Sequence, residues 1–463
     1  MTSPVQDGGQ ENWSSRATFL MASIGFAVGL GNIWRFPYVV GENGGSAFIL
    51  IYLLFAFGIG VPLVMAEWTI GRRGSGATSA SGSVREVARQ SGASKAWGNV
   101  GGIAVLAVFM LMLFYTVVAG WTMDYLVRAA SGAFKGINAE QSEAMFDSLM
   151  ANPMRLAFWH SIVVLLTVYI NSRGLKGGIE KAVNILMPAL FVSLLLMVAY
   201  ASSVGDMGAA VEFLLTPDFS RVTANTLLMA LGQAFFSIGI AMAVMITYGS
   251  YLDKETSIPR NAFIVVGADT LVALLAGFAI FPLVFAHHLA PDSGAGLVFQ
   301  TLPIAFGELP GGQIFGSIFF LLLIAAAITS CIGNFAPIVA WTEERFSISH
   351  AKAAGLAGFV MWLLGLGTVF SFNLWSEFHP LSFIGRFADM TIYDTLDYVM
   401  ANVLLPVGAF LTSIFIGWIA SHDAIREEMG LPDGPAFKTW RLLIRFVVPV
   451  AVAVIFAVSI AGG

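Results

Sequence analysis

Asp269 sits in the middle of an apolar run that extends from about residue 259 to 288. With a helix starting near Pro259, the rise of 1.5 Å per residue puts this carboxylate about 15 Å into the run. A carboxylate that deep needs a cation, a proton or a hydroxyl partner, and the first two mark an ion pathway. In a later run Ala326, Thr329 and Ser330 fall at i, i+3 and i+4, on one helix face. Two adjacent hydroxyls can supply oxygen to a hard monovalent cation, or bond back to their own helix. The stretch Gly25-Phe-Ala-Val-Gly-Leu-Gly-Asn-Ile-Trp-Arg-Phe-Pro37 puts Gly25, Gly29, Gly31, Asn32 and Arg35 inside the first long apolar segment. Glycine costs about 1 kcal/mol against alanine in a helix interior, and arginine roughly 2.5–3.5 kcal/mol at membrane depth. The spacing therefore predicts a broken helix whose freed backbone groups face a solvated or protein-lined site. Freed N–H groups suit an anion and freed carbonyls a cation.

A second candidate break lies in Gly232-Gln-Ala-Phe-Phe-Ser-Ile-Gly-Ile-Ala-Met242, where Gln233, Ser237 and Gly239 sit mid-segment. Alone, such residues are ordinary at helix contacts in membranes. Their position gives them weight, because spans one and six are corresponding members of two five-helix halves. Paired interruptions of that kind point to a transporter built from inverted repeats, with its site at the midplane. Tyr115 of the third span needs a partner for its hydroxyl. Arg35 and Asp397, each near the outer end of a span, are a candidate ion pair unless Arg35 snorkels to the interface.

The elements that must position these groups follow from composition. The 463 residues are 57% apolar and 11% charged, with mean hydropathy +0.81; soluble domains carry about 25% charged residues. The fold class is an all-α polytopic membrane protein embedded in a lipid bilayer. A net charge of −5 without a basic patch excludes a nucleic-acid partner, and the single cysteine, Cys331, excludes an internal disulfide. Apolar runs long enough to span fall at 14–38, 45–70, 98–128, 155–171, 181–201, 223–251, 259–288, 313–343, 352–372, 393–419 and 440–461, eleven in all. Lysines and arginines gather on alternate loops, from Arg72, Arg73, Arg173 and Lys176 to Arg441 and Arg445. That pattern puts the N-terminus in the cytoplasm and the C-terminus outside, in a cell (inner) membrane. Residues 1–13 are then a polar cytoplasmic tail with no signal-peptide core. Residues 14–201 form a first five-helix repeat, 223–419 a second, inverted one with helices 1 and 6 discontinuous, and 440–461 an eleventh helix. The loop 289–312, with Gly294, Gly296 and Pro303, either folds back as a re-entrant cap or is a plain outer loop. A membrane enzyme would show His, Cys or paired acids at membrane depth, whereas His287 and His288 stand at a helix end. A channel would need a pore ring repeated on several subunits. With no P-loop there is no sign of an ATPase or an ATPase subunit, so uphill transport would draw on an ion gradient.

The first-helix run, followed by Glu42-Asn-Gly-Gly-Ser-Ala-Phe48, resembles the signature of the neurotransmitter:sodium symporter family. Gly232-Gln-Ala-Phe-Phe236 with Ile246-Thr-Tyr-Gly-Ser-Tyr251 resembles its sixth helix, and Leu323-Ile-Ala-Ala-Ala-Ile-Thr-Ser330 its eighth. The resemblance implies two Na+ sites and no organic cofactor. One sodium would be held by the Ala27 carbonyl, Asn32, Ser237 and Asp269, together with the substrate carboxylate. The other would be held by carbonyls of Gly25, Val28 and Ala326 and by hydroxyls of Thr329 and Ser330. The carboxylate of an amino-acid substrate would also meet N–H groups of Leu30 and Gly31 and the Tyr115 hydroxyl. Its amine would face carbonyls near Ala27, Phe236 and Ser237. Tyr115 and Phe236 would close an outer lid beneath Arg35 and Asp397. The side-chain pocket would comprise Phe26, Leu111, Tyr115, Phe236, Gly239, Met242, Ser330 and Asn334, mostly apolar, with Met242 able to adapt.

Departures from the family pattern sharpen the expectation. Asp269 stands where the family often has Asn, and Ala273 where chloride-dependent members have Ser, so chloride independence is expected. Gly29 replaces the Asp of monoamine carriers, which points to a substrate bringing its own carboxylate. Gln10 replaces an arginine of the inner gate, leaving that gate's acidic partner, Glu344 for instance, without its usual mate. Gly178 and Pro188 resemble a fifth-helix motif linked to unwinding. The implied activity is sodium-coupled symport of a hydrophobic or aromatic L-amino acid by alternating access; small or omega-amino acids such as glycine, GABA or taurine are the alternative.

Overall fold

The computed structural model describes residues 12–287 and 296–461. All regular structure among them is helical. Ser15 caps the first helix, α1 (Arg16–Ala27), by accepting from the Thr18 N–H at 3.1 Å. It stops at Val28, whose backbone is extended (φ −73°, ψ 97°), and α2 (Gly31–Glu42) leaves at 50° to it. The predicted break is therefore present, although the outer half reaches Glu42 rather than 38. Next come α3 (Ser46–Arg73), α4 (Lys95–Ala130), α5 (Pro153–Asn171) and α6 (Leu175–Val204). Pro188 lies inside α6 and Gly178 in its π-helical first turn.

The second expected break is more severe than the first. α7 (Ala224–Ile238) ends on Gly239, whose φ of 71° is left-handed. Ala241 and Ala243 also take positive φ, 61° and 60°, before α8 (Val244–Ser250) begins. Left-handed alanine is disfavoured by roughly 1–2 kcal/mol per residue, so packing must hold this segment open. The chain continues through α9 (Ile258–Ala286), α10 (Gly312–Phe346), α11 (His350–Ser371), α12 (Ile392–Ile419) and α13 (Pro435–Val458).

Nine of these helices are individually long and apolar enough to cross a bilayer, and the bent pair α1–α2 makes up to ten. The eleventh expected crossing is the interrupted segment 223–251. Its halves have 15 and seven residues, so neither crosses alone. Large apolar side chains such as Leu54, Phe158, Leu165, Ile185, Leu195 and Phe359 point outward, as a lipid-facing surface requires. The chain is a multi-pass membrane protein.

Inside this belt α1 packs against α6, α9 and α10, while α10 lies along α4 and α6. The loops carry short helices. Ala80–Gln90 lies on the start of α4, and the loop after α4 holds Ala139–Met150. Of the two readings of the 289–312 loop, its described part folds inward. Leu297, Phe299 and Leu302 are buried, and the Phe299 ring sits 5.8 Å from Trp34 and 5.2 Å from Tyr125.

Candidate functional site

Both breaks open on one point. Asn32, in the first turn of α2, donates from Nδ2 to Asp269 Oδ1 at 2.7 Å and to Ser237 Oγ at 3.0 Å. Ser237, near the end of α7, donates to Asp269 Oδ2 at 2.8 Å, and Tyr52 of α3 donates to the same oxygen at 3.4 Å. Asn32 Oδ1 accepts from the Gly29 N–H at 3.0 Å. All of these side chains are buried. The Asp269 carboxylate faces amide and hydroxyl dipoles and has no cationic side chain among its hydrogen-bond and ion-pair partners. Three of the four residues expected around one sodium thus meet in a buried cradle, in which Asn32 turns its amide nitrogen to the carboxylate and its oxygen to Gly29. Such a set suits a monovalent cation, because a carboxylate withdrawn from water gains most from a full positive charge.

A second group of oxygens lies on the other side of α1. Ser330 Oγ donates to the Phe26 carbonyl at 3.0 Å and lies 3.5 Å from the Val28 carbonyl. Thr329 Oγ1 bonds back to the carbonyls of Ala325 at 2.9 Å and Ala326 at 3.1 Å. A methyl placed on Gly25 would lie 3.5 Å from Thr329 Cβ and 2.8 Å from Met187 Sδ. Gly25, Val28, Ala326, Thr329 and Ser330 are therefore gathered where α1 ends. Thr329 thus takes the back-bonded alternative to holding an ion, whereas Ser330 reaches across to a carbonyl at the end of α1.

Between the two clusters lies a cavity of about 30 Å³. Its walls are Phe26, Ala27, Gly29, Gly31, Leu111, Tyr115, Phe236, Ser237, Gly239, Met242, Ser330 and Asn334. Every residue expected at the substrate is there except Leu30, whose N–H donates to the Tyr115 hydroxyl at 3.2 Å. A methyl at Gly29 would stand 2.9 Å from that hydroxyl and 2.5 Å from Ser330 Oγ, so any side chain there must displace both groups. Asn334 Oδ1 is buried without a hydrogen-bond partner. Gly31, Tyr115 and Phe236 also line a second cavity of 110 Å³ that reaches Arg35 and Asp397. The anticipated ion pair between those two is not closed. The Arg35 guanidinium lies instead over the Phe236 ring, 4.5 Å from its centroid, in a cation–π contact.

Sequence reasoning missed Glu67. It is fully buried in α3 and accepts the Ala241 N–H at 2.8 Å, from the left-handed stretch between α7 and α8. A carboxylate inside the 45–70 run was the available signal. Gln233 also gains a place, donating to the Gly31 carbonyl at 3.1 Å and tying α7 to α2. At the inner end Gln10 lies outside the described residues. Glu344 instead accepts the Ser79 N–H at 3.0 Å and faces Arg85 at 3.7 Å. The inner end of α1 is covered by Trp13, whose ring is buried against Tyr248 and whose Nε1 donates to the Tyr248 carbonyl at 3.1 Å. His287 pairs with Glu308 at 2.7 Å, and His288 lies outside the described residues.

A family model described as the sodium:neurotransmitter symporter family matches residues 10–136 and 150–462. An uncharacterized sodium-dependent transporter, YhdH, of Bacillus subtilis is 38% identical over 96% of this chain and 96% of its own. One of Haemophilus influenzae is 34% identical over 96% and 97% respectively. The bovine sodium-dependent dopamine transporter is 25% identical over 99% of this chain and 70% of its own. The crystal structure of MhsT in complex with L-phenylalanine superposes with a TM-score of 0.88 at 39% identity, covering 97% of this chain and 100% of that one. Transporters, not enzymes, make up this group, and sodium dependence runs through the relatives' names. From the broken helices, the cradle they share and these matches, the chain belongs to the sodium:neurotransmitter symporter family.

Proposed function

We propose that this protein imports a hydrophobic or aromatic L-amino acid together with two sodium ions, by alternating access and without chloride. One observation carries the reading. Asn32 from the first broken helix and Ser237 from the second converge on Asp269, beside a cavity walled by the same two breaks. The first sodium would sit with the Ala27 carbonyl, Asn32, Ser237 and Asp269, and the second with Gly25, Val28, Ala326, Thr329 and Ser330. Asn32 and the two hydroxyls of the second cluster would exchange their present partners for the ion.

The substrate carboxylate would take the Leu30 and Gly31 N–H groups and the Tyr115 hydroxyl. Its bulk would lie against Phe26, Leu111, Phe236 and Met242, with Gly239 leaving room. The L-phenylalanine held by MhsT supports this class. Asp269 would supply the fixed negative charge that chloride provides elsewhere, and Ala273 offers no hydroxyl to an anion. The cell membrane, the cytoplasmic N-terminus, eleven crossings and the inverted repeats 14–201 and 223–419 belong to the same proposal, supported by the alternation of cationic loops.

Two sodium ions with a zwitterion carry two charges, worth about 4.6 kcal/mol per 100 mV. That supports roughly 10³-fold accumulation before the sodium gradient itself is added. Thermal-shift screening of the twenty amino acids, taurine and GABA, with and without Na+, tests the proposal. Stabilisation by apolar or aromatic amino acids only in Na+ is expected; stabilisation by GABA or taurine alone would refute the substrate class.

A further inference from the structure

The inner ends of α4, α10 and α11, on the same side as Trp13, enclose a groove of 500 Å³ that the transport site does not touch. Its walls include Leu106 and Phe109 of α4, Phe346 of α10, and Leu356 and Val360 of α11. Leu106, Phe346, Leu356 and Val360 all face outward. Trp341 forms the end of the groove and also lines a second, polar cavity of 310 Å³ with Ser79, Ser81, Arg85, Glu344 and Arg345. The Glu344 carboxylate is answered by Arg85 and the Ser79 N–H. Arg345 is exposed and forms no ion pair among the described residues. Lys352 is exposed as well, and with Leu356 and Val360 it occupies one i, i+4, i+8 stripe of α11. Glu343 beside these cations faces His350 at 2.9 Å, so Arg345 and Lys352 are left without an acidic partner within 4 Å among the described residues, and the apolar slot on the membrane face abuts this cationic edge at Trp341.

We propose that this face binds an anionic phospholipid, one acyl chain in the slot and the phosphate at Arg345 and Lys352. Charge complementarity selects the occupant. Acyl chains alone would fill the slot from any lipid, but the cationic edge discriminates by headgroup, as basic pockets between transmembrane helices do. The site's assignment to the cytoplasmic leaflet rests on the proposed orientation; binding itself does not, and needs neither sodium nor substrate.

The test is native mass spectrometry of the delipidated full-length protein, titrated with phosphatidylglycerol and with phosphatidylcholine of the same chains. Phosphatidylglycerol should bind at least tenfold tighter. Arg345→Gln with Lys352→Gln should erase that preference, since each cation near an anionic lipid is worth about fivefold, and should leave sodium-dependent substrate binding unchanged. Gly102→Leu should weaken both lipids, because a side chain there grows into open space with nothing within 4 Å. Equal affinity for the two lipids, or an unaltered preference in the double variant, would overturn the proposal. So would a dimer that survives delipidation and is disrupted by Gly102→Leu, since a second copy would then be the occupant. A sodium-independent protein that still selects phosphatidylglycerol would separate failure of the transport reading from failure of this one.

Discussion

At the scale of single residues, the account turns on side chains and backbone positions that have no alternative use where they stand. Gly29 is the sharpest. With Tyr115 and Ser330 already at contact distance from any added carbon, Gly29→Leu should still fold, because the displaced groups border a cavity. Substrate affinity in a scintillation-proximity binding assay should fall by at least 100-fold. Asn334 allows a finer test. Its Oδ1 lies at the cavity without a partner, and a buried acceptor left unmade costs about 1–3 kcal/mol. An aromatic substrate carrying a ring N–H or O–H should therefore bind five- to 100-fold tighter than phenylalanine. Competition binding on wild type and Asn334→Ala should show that advantage disappear. Asp269, Asn32 and Ser237 were legible in the sequence because polar atoms in apolar runs announce themselves. Glu67 and Tyr52 were just as polar, but each stands apart in the 45–70 run, away from Gly58 and Gly60 and with no second polar group at helical spacing. Their partners, Ala241 and Asp269, are far away in the chain and become neighbours only through packing.

At the scale of elements, the two breaks have different causes. The first is marked in the local sequence by three glycines and an asparagine where α1 stops at Val28, and distant side chains, Tyr115, Gln233 and Ser330, then engage the freed backbone groups. The second is read from the sequence only in part. Gly239 explains the end of α7, but Ala241 and Ala243 have no local reason to be left-handed. Glu67 supplies one, by holding the Ala241 N–H from α3. Glu67→Ala should thus leave that N–H unsatisfied, at a cost of about 1–3 kcal/mol. Substrate affinity by the same binding assay should drop five- to 100-fold, while Glu67→Gln, which keeps an acceptor oxygen, should retain most of it. The cap at 297–308 shows the opposite limit. Its inward fold is fixed by aromatic neighbours on α2 and α4, which no window of its own sequence contains. The stacking of Arg35 has the same origin, since the Phe236 ring beneath it comes from a different helix.

At the scale of the whole molecule, charge decides what the transporter must carry. On the proposed reading the Asp269 carboxylate takes the place of chloride, so replacing chloride by gluconate should leave the initial uptake rate in proteoliposomes essentially unchanged, while replacing Na+ by choline should abolish uptake. Carrying two net charges, uptake should also be electrogenic, with accumulation rising steeply with an inside-negative potential. The central claim is that the two broken helices and Asp269 form a single sodium-coupled binding site. Its most direct test is a sodium titration of substrate binding to the purified protein, comparing wild type with Asp269→Ala at matched folding by circular dichroism. Saturable sodium dependence in the wild type, lost in the variant, is the expected result; an unchanged sodium titration in Asp269→Ala would contradict the account.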